Sequence, residues 1–236
     1  MKKEVIICMA IQSLFLLLTL SACIPVNCDD NCEKGVRVNG VTLKYKNSAS
    51  LSQSYEDNNL EIKGGTLSID LKGHSEPQAD LQVEYCEYEP GDATIILKKG
   101  KISWESKSNK PVSLTRISGS IPEALNLNIE TGTGETKLDA IKGNQSISVD
   151  KGTGRTEISN SQFNQLTINS GTGYVTLINT NISKCSIDTG TGSVNLKNSV
   201  IEDAMIETGT GDIIIEKSKI NKQNFTTGTG KVITHN

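Results

Sequence analysis

The residues of this 236-residue chain best placed to do chemistry are the glycines of a recurring Gly-Thr-Gly, which begins at Gly132, Gly152, Gly171, Gly190, Gly209 and Gly228. Glycine-rich loops hold phosphates when open backbone amides cradle the anion at the start of a helix. Here Gly132-Thr133-Gly134-Glu135-Thr136-Lys137 carries no third glycine and runs on into β-type residues, so nucleotide binding does not follow. Calcium-binding glycine repeats need an Asp after the glycines of every turn. That place holds Glu135, Arg155, Tyr174, Ser193, Asp212 and Lys231, a variable column better suited to a binding surface than to a ligand set. An acidic column stands two residues before the first glycine, as Glu130, Asp150, Asn169, Asp188, Glu207 and then Thr226. Stacked carboxylates repel, so either Asn169 and Lys151 relieve a solvated face or the column weakly holds a divalent cation. His74 and His235 stand apart, and the thiols lack the spaced pairs of a zinc site. No metal, cofactor or catalytic residue is expected.

The elements that carry these residues follow from the period. The glycine motifs are spaced by 20, 19, 19, 19 and 19 residues, and a fixed period near 20 marks a solenoid whose coils bury their apolar faces only by stacking. Ile129, Val149, Ile168, Ile187, Ile206 and Phe225 form one column, and Leu127, Ile147, Leu166, Cys185, Ala204 and Gln223 form another two residues back. Polar residues fall between them, which is the alternation of a half-buried strand and not the period of a helix. A second strand follows the glycines, with Val175, Val194, Ile213 and Val232, then Leu138, Ile158, Leu177, Leu196 and Ile215. Polar corners come next at Asn160-Ser161, Asn179-Thr180 and Asn198-Ser199, before a single apolar residue at Phe163, Ile182, Ile201 or Ile220. The expected fold is all-β, a parallel β-solenoid (β-helix) of about 19-residue coils over 123–236. Its last coil drifts polar, as a cap should.

The triplets Thr131-Gly132-Thr133, Ser170-Gly171-Thr172 and Thr189-Gly190-Thr191 resemble the Thr-x-Thr arrays of ice-binding solenoids, which must lie flat and face outward. Counting by twos from Ile129 puts both Thr131 and Thr133 inside, while counting back from Thr136 puts Thr133 outside. A parity break of one residue is what a bulge or tight corner produces, so Gly-Thr-Gly is expected to be a corner.

The near-balanced formal charge of −3 argues against a nucleic-acid partner. At the N-terminus, Lys2 and Lys3 precede an apolar stretch from Val5 to Leu20 and then Leu20-Ser21-Ala22-Cys23. That tetrapeptide resembles the lipobox of bacterial lipoproteins. The resemblance implies that 1–22 is a signal peptide and that Cys23 carries the acyl chains tying the protein to a membrane. Residues 23–34 then read as a tether. Outside the cytoplasm disulfides are allowed, so Cys28 and Cys32 pair with each other or one of them pairs with Cys86.

Over 35–122 the period fades, although Leu60-Glu61-Ile62, Leu67-Ser68-Ile69-Asp70-Leu71 and Leu81-Gln82-Val83-Glu84-Tyr85 still alternate. Gly64-Gly65, Pro90-Gly91 and Lys99-Gly100 are expected as turns in an irregular β region capping the N-terminal end, with Trp104 in the core. Gly119-Ser120-Ile121-Pro122, Leu125-Asn126-Leu127-Asn128-Ile129-Glu130-Thr131-Gly132-Thr133-Gly134 and the repeats after them resemble a bacterial head-GIN-like family of Gly-Thr-Gly or Gly-Ser-Gly β-strand repeats, of unknown function and grouped with adhesins. The resemblance covers about residues 60 to 236. It implies a β-solenoid in the cell envelope, at the outer membrane or cell surface, and supplies no catalytic residue. The resulting expectation is a non-enzymatic lipoprotein presenting a rigid surface to an envelope protein or glycan. The rivals are a polysaccharide-active β-helix enzyme, which needs convergent acids in a cleft, and an ice-binding threonine array.

Overall fold

The computed structural model describes residues 32, 35–54 and 58–235. The expected signal peptide at 1–22, Cys23, Cys28 and most of the 23–34 tether lie outside the described residues. Among the described residues every regular element is a β-strand. They form a two-stranded ribbon, a nine-stranded sheet and a ten-stranded sheet.

The repeat builds both large sheets. Asn126–Thr133, Ser146–Thr153, Gln162–Thr172, Asn181–Thr191, Val200–Thr210 and Lys219–Thr227 run parallel in the nine-stranded sheet. Thr136–Asp139, Thr156–Ser159, Val175–Ile178, Val194–Lys197, Ile213–Glu216 and Val232–His235 run parallel in the ten-stranded one. Register is kept throughout: Leu127, Ile147, Leu166, Cys185, Ala204 and Gln223 stack, and Ile129, Val149, Ile168, Ile187, Ile206 and Phe225 stack beside them. These columns are the core because alternation turns every second side chain inward and the 19-residue period repeats the same side chain on each layer. Phe163, Ile182, Ile201 and Ile220 stack as a third column, and an exposed pair such as Asn164-Gln165 then breaks the alternation.

The polar corner has a distinct backbone. Asn160, Asn179 and Asn198 take φ of 49°, 52° and 48°, the left-handed region that Asn tolerates better than most side chains. Their amides form a ladder, Asn179 Nδ2 donating to Asn160 Oδ1 at 3.0 Å and Asn160 Nδ2 to Asp139 Oδ1 at 2.8 Å. The buried hydroxyls that follow accept backbone amides from the neighbouring coil, as Ser161 Oγ does from Ile141 N at 3.1 Å and Ser199 Oγ from Thr180 N at 3.2 Å.

The N-terminal region differs from expectation at Gly64-Gly65. These glycines are not a turn but lie inside the strand Asn59–Thr66, which pairs with Asn126–Thr133 so that Leu60 meets Leu127, Ile62 meets Ile129 and Thr66 meets Thr133. Ser68–His74 continues this extra coil, with Ile69 beneath Thr136 and Leu71 beneath Leu138. The chain then leaves the stack. Ser113–Pro122 lies parallel to Ser68–His74, Gln78–Glu87 antiparallel to Ser113–Pro122, and Tyr45–Ser54 antiparallel to Gln78–Glu87. The hairpin Ala93–Lys98 and Lys101–Ser106 extends the nine-stranded sheet through one register pair, Glu61 with Lys101. Because it diverges there, Trp104 is 41% exposed and not the core residue anticipated.

Cys32 is bonded to Cys86. The bond joins the strands Val36–Val38 and Val41–Leu43 to the cap through a small cluster of Leu43, Val36, Val38 and Val41, separate from the main core. Reduction is therefore expected to speed amide exchange in 36–43 while the amides of 126–216 stay protected, which hydrogen exchange with and without reductant measures.

Candidate functional site

The glycine motif is explained by stacking and not by a ligand. In the first five copies the first glycine remains in its strand, and the second sits at the break between sheets with φ of 142° at Gly192 and 144° at Gly211. A β-carbon on Gly192 would be driven into the carbonyl oxygen of Gly173, and one on Gly211 into that of Gly192. The parity conflict is resolved within the motif: Thr131 is buried and Thr133 is exposed. The inward threonine caps the corner, as Thr208 Oγ1 donates to Gly211 O at 2.8 Å and Thr227 Oγ1 to Gly230 O at 2.9 Å.

Lys151 occupies this inward column between Thr131 and Ser170. It does not relieve the acidic column outside, because it is only 3% exposed and its Nζ donates to Gly134 O at 2.9 Å and Arg155 O at 2.8 Å. Burial pushes its pKa down to about 8, against a smaller opposing pull from the Glu135 carboxylate.

Glu135, Arg155, Tyr174, Ser193, Asp212 and Lys231 come together as one file along the corner. Their carbonyls accept amides from the preceding coil, as Arg155 O does from Thr136 and Tyr174 O from Thr156. Two of the side chains serve the fold: Ser193 Oγ accepts Asp212 N at 3.1 Å, and Asp212 Oδ1 accepts Lys231 N at 2.8 Å. Glu135 and Arg155 pair within their own coils, with Lys137 at 3.4 Å and Glu157 at 3.9 Å. Tyr174 is 57% exposed. The file is narrow and mixed in charge.

Glu130, Asp150, Asn169, Asp188 and Glu207 also form one exposed file. Lys63, in the extra coil, pairs with Glu130 at 2.8 Å. Among the described residues no three His, Cys, Asp or Glu side chains gather as a metal site. Thr66, Thr133, Thr153, Thr172, Thr191 and Thr210 make a single rank outside. With Thr131 turned inward, the paired ranks of an ice-binding array are not formed. The buried Glu87 is structural, its carboxylate accepting Asn47 Nδ2, Gly91 N and Ala93 N at 2.9, 2.9 and 2.8 Å.

Sequence reasoning missed a groove of about 620 Å³ on the outer face of the nine-stranded sheet, beneath the turn at Lys99-Gly100. Asn59, Asn126, Asn128, Ser146 and Ser148 line it beside Glu61 and Lys101. Lys101 and Lys63 pair with Glu61 at 2.6 and 3.3 Å. The hydrogen bond from Lys101 holds the Glu61 carboxyl below its usual range, over an opposing desolvation. The available signal was the match of Leu60-x-Ile62-x-Gly64-Gly65-Thr66 to Leu127-x-Ile129-x-Thr131-Gly132-Thr133, which sets Asn59 beside Asn126.

The toastrack family description, DUF4097, matches residues 33–234. No curated protein sequence matches the chain. A solved putative cell adhesion protein from Clostridium sporogenes is similar at 12% identity over 80% of this chain and 99% of its own, with a TM-score of 0.38. A putative adhesin from Bacteroides fragilis is similar at 12% identity over 79% of this chain and 96% of its own, with a TM-score of 0.40.

Proposed function

The chain belongs to the toastrack family DUF4097, and on that premise we propose that it is a lipid-anchored protein of the bacterial cell envelope that presents a rigid β surface to a partner and catalyses no reaction. The observation that carries this reading is the register kept between successive stacked coils, from 59–74 to 126–139 and on through 235. Each inner coil is pinned above and below by backbone pairing, so outward side chains are displayed at fixed spacing with little ordering left to do on binding. A rigid face of this kind suits recognition. The apolar stretch from Val5 to Leu20 and the Leu20-Ser21-Ala22-Cys23 that ends it support the anchor. Acyl chains contribute about 0.8 kcal/mol per buried methylene, and more than one chain makes attachment stable.

With Cys23→Ser, incorporation of labelled palmitate is expected to stop and the protein to move from the membrane pellet to the soluble fraction. Labelling that persists would remove the anchor. Presentation to a partner is tested by comparing surface attachment of cells with and without the protein; equal attachment, together with no envelope component retained by the purified chain, would count against the binding role.

A further inference from the structure

We propose that the groove beneath the Lys99-Gly100 turn is a subsite for an anionic polyhydroxylated chain, which rests on the partner-binding role above and names its ligand class. The outer face of a parallel sheet is flat, and here the hairpin turn rises beside it to give a concavity of about 620 Å³, within the usual volume of small-ligand sites. Its lining side chains are short amides and hydroxyls, set on neighbouring strands about 4.8 Å apart and about 6.6 Å apart along each strand. Leu60 and Leu127 border it, but they are 1% and 2% exposed. Above them the amides and hydroxyls of Asn59, Asn126, Asn128, Ser146 and Ser148 offer a polyol groups that both donate and accept.

The grid is held in place before any ligand arrives. Asn126 Nδ2 donates to Asn59 Oδ1 at 2.9 Å, and Asn126 Oδ1 accepts Ser146 N at 2.8 Å. The side chains of Asn128 and Ser148 make no hydrogen bond among the described residues, so their amide and hydroxyl remain open. A second depression, near Ser50, Asp80 and Gln82, differs in this respect. Its groups are spent on one another, Ser50 Oγ on Gln82 Oε1 at 2.7 Å and Ser52 Oγ on Asp80 Oδ1 at 2.6 Å.

Charge selects the ligand class. Glu61 is neutralised by Lys101 and Lys63, while the exposed Lys99 at the rim makes no ion pair among the described residues. The ligand's hydroxyls lie on Asn128, Ser146 and Ser148, and the anionic substituent faces Lys99. A uronate carboxylate and a polyol phosphodiester share this chemistry.

The purified full chain in detergent would be titrated with galacturonate oligomers, with glycerol phosphate oligomers and with uncharged dextran of matching length. Binding of either anionic probe is expected, weakened at least about tenfold by Lys99→Glu and by Asn128→Asp, and unchanged by Asn195→Asp on the opposite sheet. The two anionic arms identify which substituent is read. Failure of both anionic probes, equal binding of dextran, or affinity unaffected by Lys99→Glu and Asn128→Asp in variants that melt like the parent would overturn the subsite. If cells carrying Lys99→Glu attach as the parent does while cells lacking the protein do not, the subsite falls and the wider binding role stands.

Discussion

Gly192→Ala is expected to lower the unfolding free energy by at least about 3 kcal/mol and to split the unfolding transition in two. Two costs combine at this position. The backbone sits at φ 142°, where a β-carbon is strained, and that β-carbon would collide with the carbonyl of Gly173 in the coil before. The oxygen cannot move aside, because strands 175–178 and 194–197 are locked in register on one flank and 162–172 and 181–191 on the other. A solenoid is stabilised by nearest-neighbour interfaces, so the damage should part the stack at this layer and leave both flanks folded. Gly65→Ala is the control, at a first-glycine position without positive φ. A β-carbon there meets nothing within 4 Å, and stability should change by less than about 1 kcal/mol. Denaturant unfolding of the three proteins decides the matter, and equal losses at both positions would refute the stacking account of Gly-Thr-Gly.

The second large effect is a gain. Lys151→Thr should stabilise the protein at pH 7 by up to about 3 kcal/mol, because a buried ammonium ion is replaced by the residue that fills the same column in other coils. Lys151 takes the Gly134 carbonyl, and the Thr131 hydroxyl is left without a partner among the described residues. With threonine at 151, Thr131 can cap Gly134 as Thr208 caps Gly211.

The pH dependence supplies a second readout. In the folded chain Lys151 gives up its proton at about 8, while in the unfolded chain it keeps it to its ordinary value of 10.5. Between those values the unfolded state binds more protons, so this residue's contribution makes stability rise with pH across that window and level off beyond it. Cys185 acts in the opposite sense. Burial raises its thiol from 9.0 to about 12, so the stability it contributes is present below pH 9.0 and is lost as pH rises toward 12. The difference between parent and Lys151→Thr, measured from pH 6 to pH 11, isolates the lysine. A difference that does not shrink above pH 8 would show that Lys151 is not titrating in the folded protein.

Much of the fold is legible in the sequence because solenoid order is local and repeated. Ile129, Val149, Ile168 and Ile187 declare an inward column by spacing alone, and the Asn-Ser and Asn-Thr pairs declare a corner. What escaped was each place where the repeat is edited. Gly64-Gly65 looked like a turn because the excursion after His74 separates its coil from the next by more than forty residues. Trp104 looked buried because its strand alternates, but alternation cannot tell that the hairpin leaves the sheet after Lys101.

By itself the sequence determined the class of fold, the layer spacing, the position of both corners and the resemblance of Leu20-Ser21-Ala22-Cys23 to a lipid-anchor signal, since each follows from residue type and separation along the chain. Only the tertiary structure decided that Thr131 faces in while Thr133 faces out, that Lys151 is buried against carbonyls and not set among acids, that Cys32 pairs with Cys86, and that Asn59, Asn126 and Ser148 share a groove with Lys99. These depend on which backbone carbonyls need a donor and on which distant strands become neighbours, and both are settled by stacking coil upon coil, after the local alternation has had its say.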